Sequence, residues 1–259
     1  MTNSNEETVW ITGASSGLGL ALASKLAAAG SRVIASGRNK ASLDQLKGAY
    51  PDNIETLAFD LTDDSNLEEV RRALSSITDK IDRVYLNAGT CEYFDALAPQ
   101  WQLMERVMRV NYLGLVNTVR LAMDFLKAAP RGHIIGIGSQ ASQLPFPRAE
   151  AYGASKAAVR YFLESLRMDV KQFGIDVSVI LPGFIDTPLT QRNDFPMPFL
   201  MSTEQAAVRI IAAVEKRSLT SAFPRRLSFL LWFMRHFPKL WLAMNSNKRS
   251  NNNAKGNTV

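Results

Sequence analysis

Short apolar, β-branched runs alternate with segments of helical periodicity along most of the chain. The strand-like runs are residues 8–12, 31–37, 54–61, 82–89, 132–139 and 175–183, and the helical segments are residues 19–30, 40–48, 65–77, 100–128 and 149–173. Such alternation is typical of βαβ units, whose strands pair in parallel beneath helices on both faces. The pattern therefore predicts an α/β fold, a single doubly wound Rossmann-type domain over residues 1–223.

The pattern changes after a last strand-like run at residues 218–223. Residues 224–246 predict a helical extension with Leu227, Leu230, Leu231 and Met234 on one face and Phe229, Trp232 and Phe233 on the others. The basic residues and tryptophans of this extension suit a helix in a membrane interface: Arg225, Arg226, Trp232, Arg235, Lys239 and Trp241. An extra helical layer on the domain, or across a dimer, is the other interpretation. Residues 247–259 are polar and predicted to be disordered.

Charge is unevenly distributed between the body of the chain and this extension. The 259 residues carry a net charge of +6, and hydrophobic residues make up 46% of them, as in globular proteins. Nine of the 30 Lys and Arg residues, and no Asp or Glu, follow residue 215, which leaves 21 basic against 24 acidic residues before it. No recognisable nucleic-acid-binding module accompanies the basic segment, so we do not expect a nucleic-acid partner.

Several kinds of site are not expected from the composition. Cys91 is the only cysteine, so an intramolecular disulfide and a thiolate metal site are excluded. His133 and His236 lie far apart and away from carboxylate clusters, so no metal site is predicted. The N-terminus shows no signal peptide, and no apolar run reaches the roughly 20 residues that span a bilayer. We therefore expect a cytoplasmic protein, with the extension as its one candidate contact with the inner face of a membrane.

A glycine-rich turn, TGASSGLG at residues 12–19, joins the first strand to the first helix. Its glycines permit a tight turn and close approach of a phosphate, which the N–H groups of the helix N-terminus can bind. A tight turn without a ligand is the alternative. The position between strand and helix favours a dinucleotide site formed by Gly13, Ser15, Ser16, Gly17, Leu18 and Gly19.

Residues after the next strands extend this predicted cofactor site. Arg38 follows Gly37 where NAD-binding proteins usually carry a carboxylate, and a guanidinium there favours the 2′-phosphate of NADP. Asp60, followed by Leu61, can accept a hydrogen bond from the adenine amino group. The turn Asn87-Ala88-Gly89 lets the backbone pass close to the cofactor.

Tyr152 and Lys156 are four residues apart near the start of a predicted helix and share one helix face. Alone, they could be an ordinary surface pair. A tyrosine is a poor acid or base at neutral pH unless nearby positive charge lowers its pKa, which is near 10 in water. We expect the Lys156 ammonium, together with the positive ring of an oxidised nicotinamide, to lower the pKa of Tyr152.

These motifs, with Asn111, Ser139 and Pro182-Gly183, occur in the order and at the intervals of the classical short-chain dehydrogenase/reductase family, which residues 7–215 resemble. The resemblance implies that Tyr152 is the catalytic acid and base, that Lys156 also binds the nicotinamide ribose, and that Ser139 orients the substrate carbonyl. It implies that Asn111 holds a helix kink and a water linked to Lys156. Pro182, Gly183 and Thr187 would contact the cofactor. Residues 188–202 are rich in Pro, Phe and Met and suggest a lid over an apolar substrate, with a plain loop packed on the core as the alternative.

The sequence thus predicts an NADP(H)-dependent oxidoreductase that interconverts an alcohol and a ketone or aldehyde, with a small, lipid-like substrate. A homodimer is expected, although the extension departs from the family pattern at the edge where tetramers form. A non-catalytic NADP(H)-binding regulatory protein is the alternative from a different class. An intact set of Ser139, Tyr152 and Lys156 argues against it.

Overall fold

The computed structural model describes residues 7–246 and contains one seven-stranded parallel sheet in the order β3-β2-β1-β4-β5-β6-β7. The strands are β1 (Thr8–Thr12), β2 (Arg32–Gly37), β3 (Ile54–Ala58), β4 (Arg83–Leu86), β5 (His133–Ile137), β6 (Asp176–Pro182) and β7 (Thr220–Phe223). The helices are α1 (Gly17–Ala28), α2 (Lys40–Ala49), α3 (Leu67–Ile77), α4 (Gln102–Met108), α5 (Gly114–Ala128), α6 (Glu150–Val170), α7 (Thr203–Glu215), α8 (Arg225–Met234) and α9 (Pro238–Ser246). The strand order reverses beside β1, so ligands are expected at the carboxyl ends of β1 and β4.

Alternate residues of the strands enter two separate cores. Val9 and Ile11 of β1 face a cluster built with α1, α2 and α7, whereas Trp10 faces a cluster built with α3, α5 and α6. Strand residues point alternately to opposite faces, so a strand covered on both faces is apolar throughout, as β1 is. The predicted doubly wound sheet is confirmed.

Several predicted segments end earlier or break. Residues 87–89 and 138–139 are turns rather than strand, because there the strands give way to the loops that carry the site. The predicted helix over residues 100–128 is interrupted by a π turn at Arg109–Leu113. Helix α7 was not predicted; it starts with a capping box in which Ser202 and Gln205 exchange hydrogen bonds.

The C-terminal extension forms two helices, α8 and α9. Leu227, Leu231 and Met234 of α8 and Trp241 of α9 are buried against Leu144. Leu230, predicted to share the face of Leu227, is 43% exposed and does not belong to this buried cluster. No helix within residues 7–246 is long and apolar enough to cross a membrane. The predicted disorder of residues 247–259 falls outside the described residues.

Candidate active site

The turn between β1 and α1 forms a cradle at the carboxyl edge of the sheet. Gly13 and Gly17 have φ angles of +69° and +54°, which residues with a Cβ rarely adopt. A Cβ at Gly13 would lie 2.8 Å from Cα of Ala88, and one at Gly17 would lie 3.3 Å from Cγ2 of Thr187. The Ser16 side chain caps none of the first N–H groups of α1, so they can donate to a ligand. The turn therefore fits a phosphate group of a dinucleotide.

Two polar side chains fix the turn after β4 against this cradle. Nδ2 of Asn87 donates to the carbonyl oxygens of Thr12 (3.0 Å) and Gly13 (3.3 Å). Oγ1 of Thr12 accepts from the main-chain N–H groups of Asn87 and Ala88, both at 3.2 Å. Asn87, predicted to allow close passage of a cofactor, thus holds the two turns together.

The ends of β2 and β3 place Arg38 near Asp60. Burial alone would raise the pKa of Asp60, but hydrogen bonds from Thr62 and the positive charge of Arg38 outweigh it and lower the pKa. Oδ1 of Asp60 accepts from the main-chain N–H (2.9 Å) and the hydroxyl (2.7 Å) of Thr62. Leu61 packs against Gly114, and Arg38 itself is exposed. An exposed guanidinium beside a fixed carboxylate suits recognition of the adenosine end of a cofactor.

Helix α6 brings Tyr152 and Lys156 to the end of β5. Nζ of Lys156 donates to the carbonyl oxygen of Ile137 (2.9 Å) and lies 6.0 Å from the centre of the Tyr152 ring. Tyr152 is hydrogen-bonded to Ser139, two residues beyond Ile137. Oγ of Ser139 also accepts from the main-chain N–H of Ala141 at 3.1 Å, which orients the hydroxyl.

Burial determines the protonation of this pair. Burial raises the pKa of Tyr152 to about 12, although the hydrogen bond to Ser139 acts in the opposite direction. Burial also lowers the pKa of Lys156 to about 8. Loss of hydration disfavours the charged form of each side chain. The expectation that Lys156 and an oxidised nicotinamide together lower the pKa of Tyr152 concerns the cofactor complex and stays a prediction.

Asn111 lies in the π turn and is almost fully buried. Its Nδ2 donates to the carbonyl oxygen of Thr90 and to Oγ of Ser155, both at 2.9 Å, and its Oδ1 accepts from the N–H of Thr90 at 2.7 Å. Both N–H bonds of the amide are used within the protein. A water linked to Lys156 would have to be bound by Oδ1 or by the main chain.

The sequence matches the model of the short chain dehydrogenase family over residues 7–196. The chain belongs to this family. An uncharacterised oxidoreductase of Myxococcus xanthus is 35% identical over 88% of this chain and 91% of its own length. Dehydrogenase/reductase SDR family member 7B of Bos taurus is 32% identical over 70% of this chain and 59% of its own length. Membership supports an oxidoreductase of Rossmann-like fold, and the family acts on small-molecule substrates.

Two solved structures share the fold. A short-chain dehydrogenase from Streptomyces avermitilis superimposes with a TM-score of 0.81 at 24% identity, over 99% of this chain and 100% of that one. A 3-ketoacyl-(acyl-carrier-protein) reductase from Brucella melitensis, determined in complex with NADH, gives a TM-score of 0.75 at 22% identity over 84% and 96% of the two chains. At these identities the likeness shows the fold alone.

The last predicted cofactor residues, Thr187, Pro182 and Gly183, each have different surroundings in the structure. Thr187 lies beside Gly17, and its N–H donates to Oγ1 of Thr190 at 2.9 Å. Pro182 ends β6, and Gly183 faces the extension, since a Cβ there would lie 2.9 Å from Cδ2 of Leu227. A glycine at residue 183 is thus explained by packing of α8. Among residues 7–246, no group of three or more His, Cys, Asp or Glu could hold a metal.

Three loops meet at Tyr93, which the sequence analysis missed. Its hydroxyl donates to Oδ1 of Asn193 (2.8 Å), and its ring meets Phe195 edge to face at 5.4 Å. Nη1 of Arg148 donates to both carboxylate oxygens of Asp194, each at 2.8 Å. The segment predicted as a lid is therefore tied to the loops after β4 and before α6. A tyrosine four residues beyond the Asn87-Ala88-Gly89 motif carries no local signal of this contact.

Proposed function

We propose that the protein is an NADP(H)-dependent oxidoreductase that interconverts an alcohol and a ketone or aldehyde, with Tyr152 as the general acid and base. The grouping of Ser139, Tyr152 and Lys156 beside the glycine-rich cradle carries the proposal. The cradle fits a dinucleotide because its glycines leave no room for side chains and its helix N–H groups can donate to phosphate. Lys156 lies close to the turn that packs on this cradle, since a Cβ at Gly89 would lie 3.5 Å from its Nζ.

In the reduction direction, Ser139 and Tyr152 would hydrogen-bond the carbonyl oxygen of the substrate. A cofactor held by the cradle would supply the hydride to the carbonyl carbon, and Tyr152 would give its phenolic proton to the carbonyl oxygen. Ser139 would hold the oxygen as negative charge develops on it. With a pKa of about 12 the phenol is protonated at neutral pH, so Tyr152 carries the proton that reduction of a carbonyl requires.

Tyr152→Phe tests the acid. We expect loss of carbonyl-dependent NADPH oxidation by at least about 100-fold, the lower end of general acid catalysis, with NADPH binding retained. Tyr161→Phe is the matched control, since the Tyr161 ring is 77% exposed on the same helix. Turnover that survives Tyr152→Phe would refute the mechanism. Binding of NADPH without turnover of any carbonyl by the natural protein would favour the alternative, a non-catalytic NADP(H)-binding regulatory protein.

The preference for NADP(H) rests on Arg38 and on the absence of a carboxylate at residues 37 and 38. The solved reductase from Brucella melitensis was bound to NADH, so the preference needs its own test. We expect tighter binding of NADPH than NADH in a fluorescence titration. Arg38→Gln should weaken NADPH binding about 10-fold or more while sparing NADH, because a hydrogen bond to a charged group contributes about 1.5–3 kcal/mol. Arg72→Gln, an exposed charge on α3, is the control.

An apolar substrate and a homodimer complete the proposal. Phe184, Phe195 and Tyr93 form a chain of edge-to-face rings on the substrate side, which suits an apolar molecule. Tyr161 and Met168 are 77% and 73% exposed, two turns apart on α6, and support a helix-to-helix contact between two copies. A series of carbonyl substrates of increasing chain length and light scattering of the purified protein test these two points. The cytoplasmic location stays a prediction of the sequence.

A further inference from the structure

Helices α8 and α9 bury one face and leave the other uncovered. Eight of the 18 large hydrophobic side chains that are exposed within residues 7–246 lie in the short stretch 229–244. We call them the outer apolar surface: Phe229, Leu230, Trp232, Phe233, Phe237, Leu240, Leu242 and Met244. Their exposed fractions range from 42% to 67%. Monomeric proteins rarely leave such a density of apolar side chains in water without a partner.

The aromatic members of this surface touch one another. The Phe229 and Trp232 rings are 6.0 Å apart, and the Trp232 ring is 5.0 Å from His236. On the neighbouring side of α8, Phe233 and Phe237 are 4.9 Å apart. The outer apolar surface therefore contains continuous aromatic rows rather than scattered residues.

Charge around this surface has one sign. The exposed basic residues of the two helices are Arg225, Arg226, Arg235 and Lys239. Residues 216–246 contain no Asp or Glu, and the sequence beyond them adds Lys248, Arg249 and Lys255. Tryptophan, phenylalanine and leucine bordered by Lys and Arg are the composition of helices that lie in the interface of anionic membranes.

We propose that the outer apolar surface binds peripherally to the surface of an anionic lipid bilayer. A second copy of the chain suits this surface poorly, because a two-fold contact would bring eight basic side chains together without a single acidic partner from these helices. The contact is interfacial rather than spanning, since α8 has ten residues and extends only about 15 Å. The proposal does not depend on the proposed catalytic activity.

The buried side of the extension explains why the two helices present this surface rigidly. Trp241 meets Phe146 edge to face at 5.3 Å, and its Nε1 donates to the carbonyl oxygen of Pro145 at 2.7 Å. Residues 144–146 lie between Ser139 and Tyr152 in the chain. A bilayer bound to the outer apolar surface would thus be separated only by α8 and α9 from the segment that links the two proposed catalytic residues.

Flotation of the full-length protein with lipid vesicles tests the proposal. We expect strong binding to vesicles of phosphatidylcholine mixed with phosphatidylglycerol and weak binding to phosphatidylcholine alone. Substituting Phe229, Trp232 and Phe233 by Gln should abolish binding. Substituting Arg225, Arg226 and Lys239 by Gln should weaken it by on the order of 100-fold, because each basic residue near an anionic surface contributes about 1 kcal/mol. The second variant keeps the apolar side chains, so it tests the charges separately.

A matched control replaces three exposed apolar residues elsewhere, Leu97, Val208 and Leu219, by Gln. It should float like the natural protein. In a Trp101→Phe background, Trp232 is the exposed tryptophan of the described chain, and its fluorescence should shift to shorter wavelength with anionic vesicles. The proposal is overturned if the natural protein stays unbound, or if the control and the Phe229, Trp232 and Phe233 variant float equally. It is also overturned if that variant only dissociates a dimer.

Discussion

Gly19, the third residue of α1, allows a sharp test of the cofactor cradle. A Cβ at Gly19 would collide with the carbonyl oxygen of Gly13 and lie 2.5 Å from Nδ2 of Asn87. The first of these is a backbone atom of a turn that already has a positive φ, so it cannot move freely. Helix propensity alone predicts the opposite effect, since alanine is about 1 kcal/mol better than glycine inside a helix.

The expected magnitude follows from these two opposing terms. Overpacking of a dense site costs about 1–3 kcal/mol, and contacts this short with backbone atoms place Gly19→Ala near the upper end. Subtracting the gain of about 1 kcal/mol in helix propensity leaves a net loss of about 2 kcal/mol in the free energy of unfolding. For a chain of this size, such a loss lowers Tm by about 4–8 °C. NADPH binding should also weaken, because the Gly13 carbonyl and the Asn87 side-chain amide, which would have to move, form part of the cradle.

Gly48→Ala in α2 is the matched control, because a Cβ there would meet nothing within 4 Å. It should raise Tm by about 2–4 °C, from the gain of about 1 kcal/mol in helix propensity. Thermal unfolding followed by circular dichroism measures both variants, and fluorescence titration measures NADPH binding. If Gly19→Ala is as stable as Gly48→Ala and binds NADPH normally, the close packing of the cradle against Asn87 is wrong.

Two further predictions concern buried polar groups. Ser155→Ala removes the hydroxyl that accepts a hydrogen bond from Asn111 and donates one to the carbonyl oxygen of Tyr152 (2.8 Å). The free energy of unfolding should therefore fall by about 1–3 kcal/mol, and turnover should fall with it. Urea unfolding and activity assays that show no change would contradict this prediction. Burial lowers the pKa of His133 to about 4, against 6.5 when exposed. As pH falls below 6.5, the unfolded chain therefore binds a proton that the folded chain does not. The free energy of unfolding should decrease by about 1.4 kcal/mol per pH unit down to pH 4. His133→Gln should reduce this slope, which urea titrations at several pH values measure.

The parts of the fold and site that were predictable have local signals. Apolar, β-branched runs marked the first six strands, and a shorter strand-like run at residues 218–223 marked the seventh. Glycines with positive φ, such as Gly13 and Gly17, and a Tyr and a Lys one helical turn apart lie within short stretches of chain. Their chemistry can therefore be inferred without knowing what packs against them.

The parts that were missed depend on partners far away in sequence. Ser155 bonds Asn111 across 44 residues, and Thr12 bonds Ala88 across 76. Nothing near either hydroxyl distinguishes it from an ordinary serine or threonine. The π turn at residues 109–113 has no local signal either, since its residues can all continue a helix, and a kink at Asn111 was expected from the family resemblance alone. Two hydrogen bonds, one donated by the Asn111 amide and one accepted by it, join its side chain to the main chain of Thr90.

The protonation of Tyr152 and Lys156 also depends on more than their spacing in the sequence. The spacing of Tyr152 and Lys156 shows which charges are near each other, but it does not show how much water both side chains lose. Lys156 is only 5% exposed, and its amino group uses one hydrogen bond on Ile137. Desolvation then raises the pKa of Tyr152 and lowers that of Lys156, so that it favours the neutral form of each. A positive nicotinamide ring and a ribose, where bound, would be the groups able to lower the pKa of Tyr152 again.

The extension and the proposed site share one structural connection. Nε2 of Gln140, the residue after Ser139, donates to the carbonyl oxygen of Phe223 at 2.8 Å, and the N–H of Gly183 donates to the same oxygen at 2.7 Å. Phe223 directly precedes the extension. A displacement of α8 would therefore move the Ser139 loop and the end of β6 more directly than the glycine-rich cradle. Among residues 7–246, the cradle has no such hydrogen bond to β7. Membrane contact through the outer apolar surface is thus expected to change substrate binding at Ser139 and cofactor contact at Gly183 more than phosphate binding at the glycine-rich cradle.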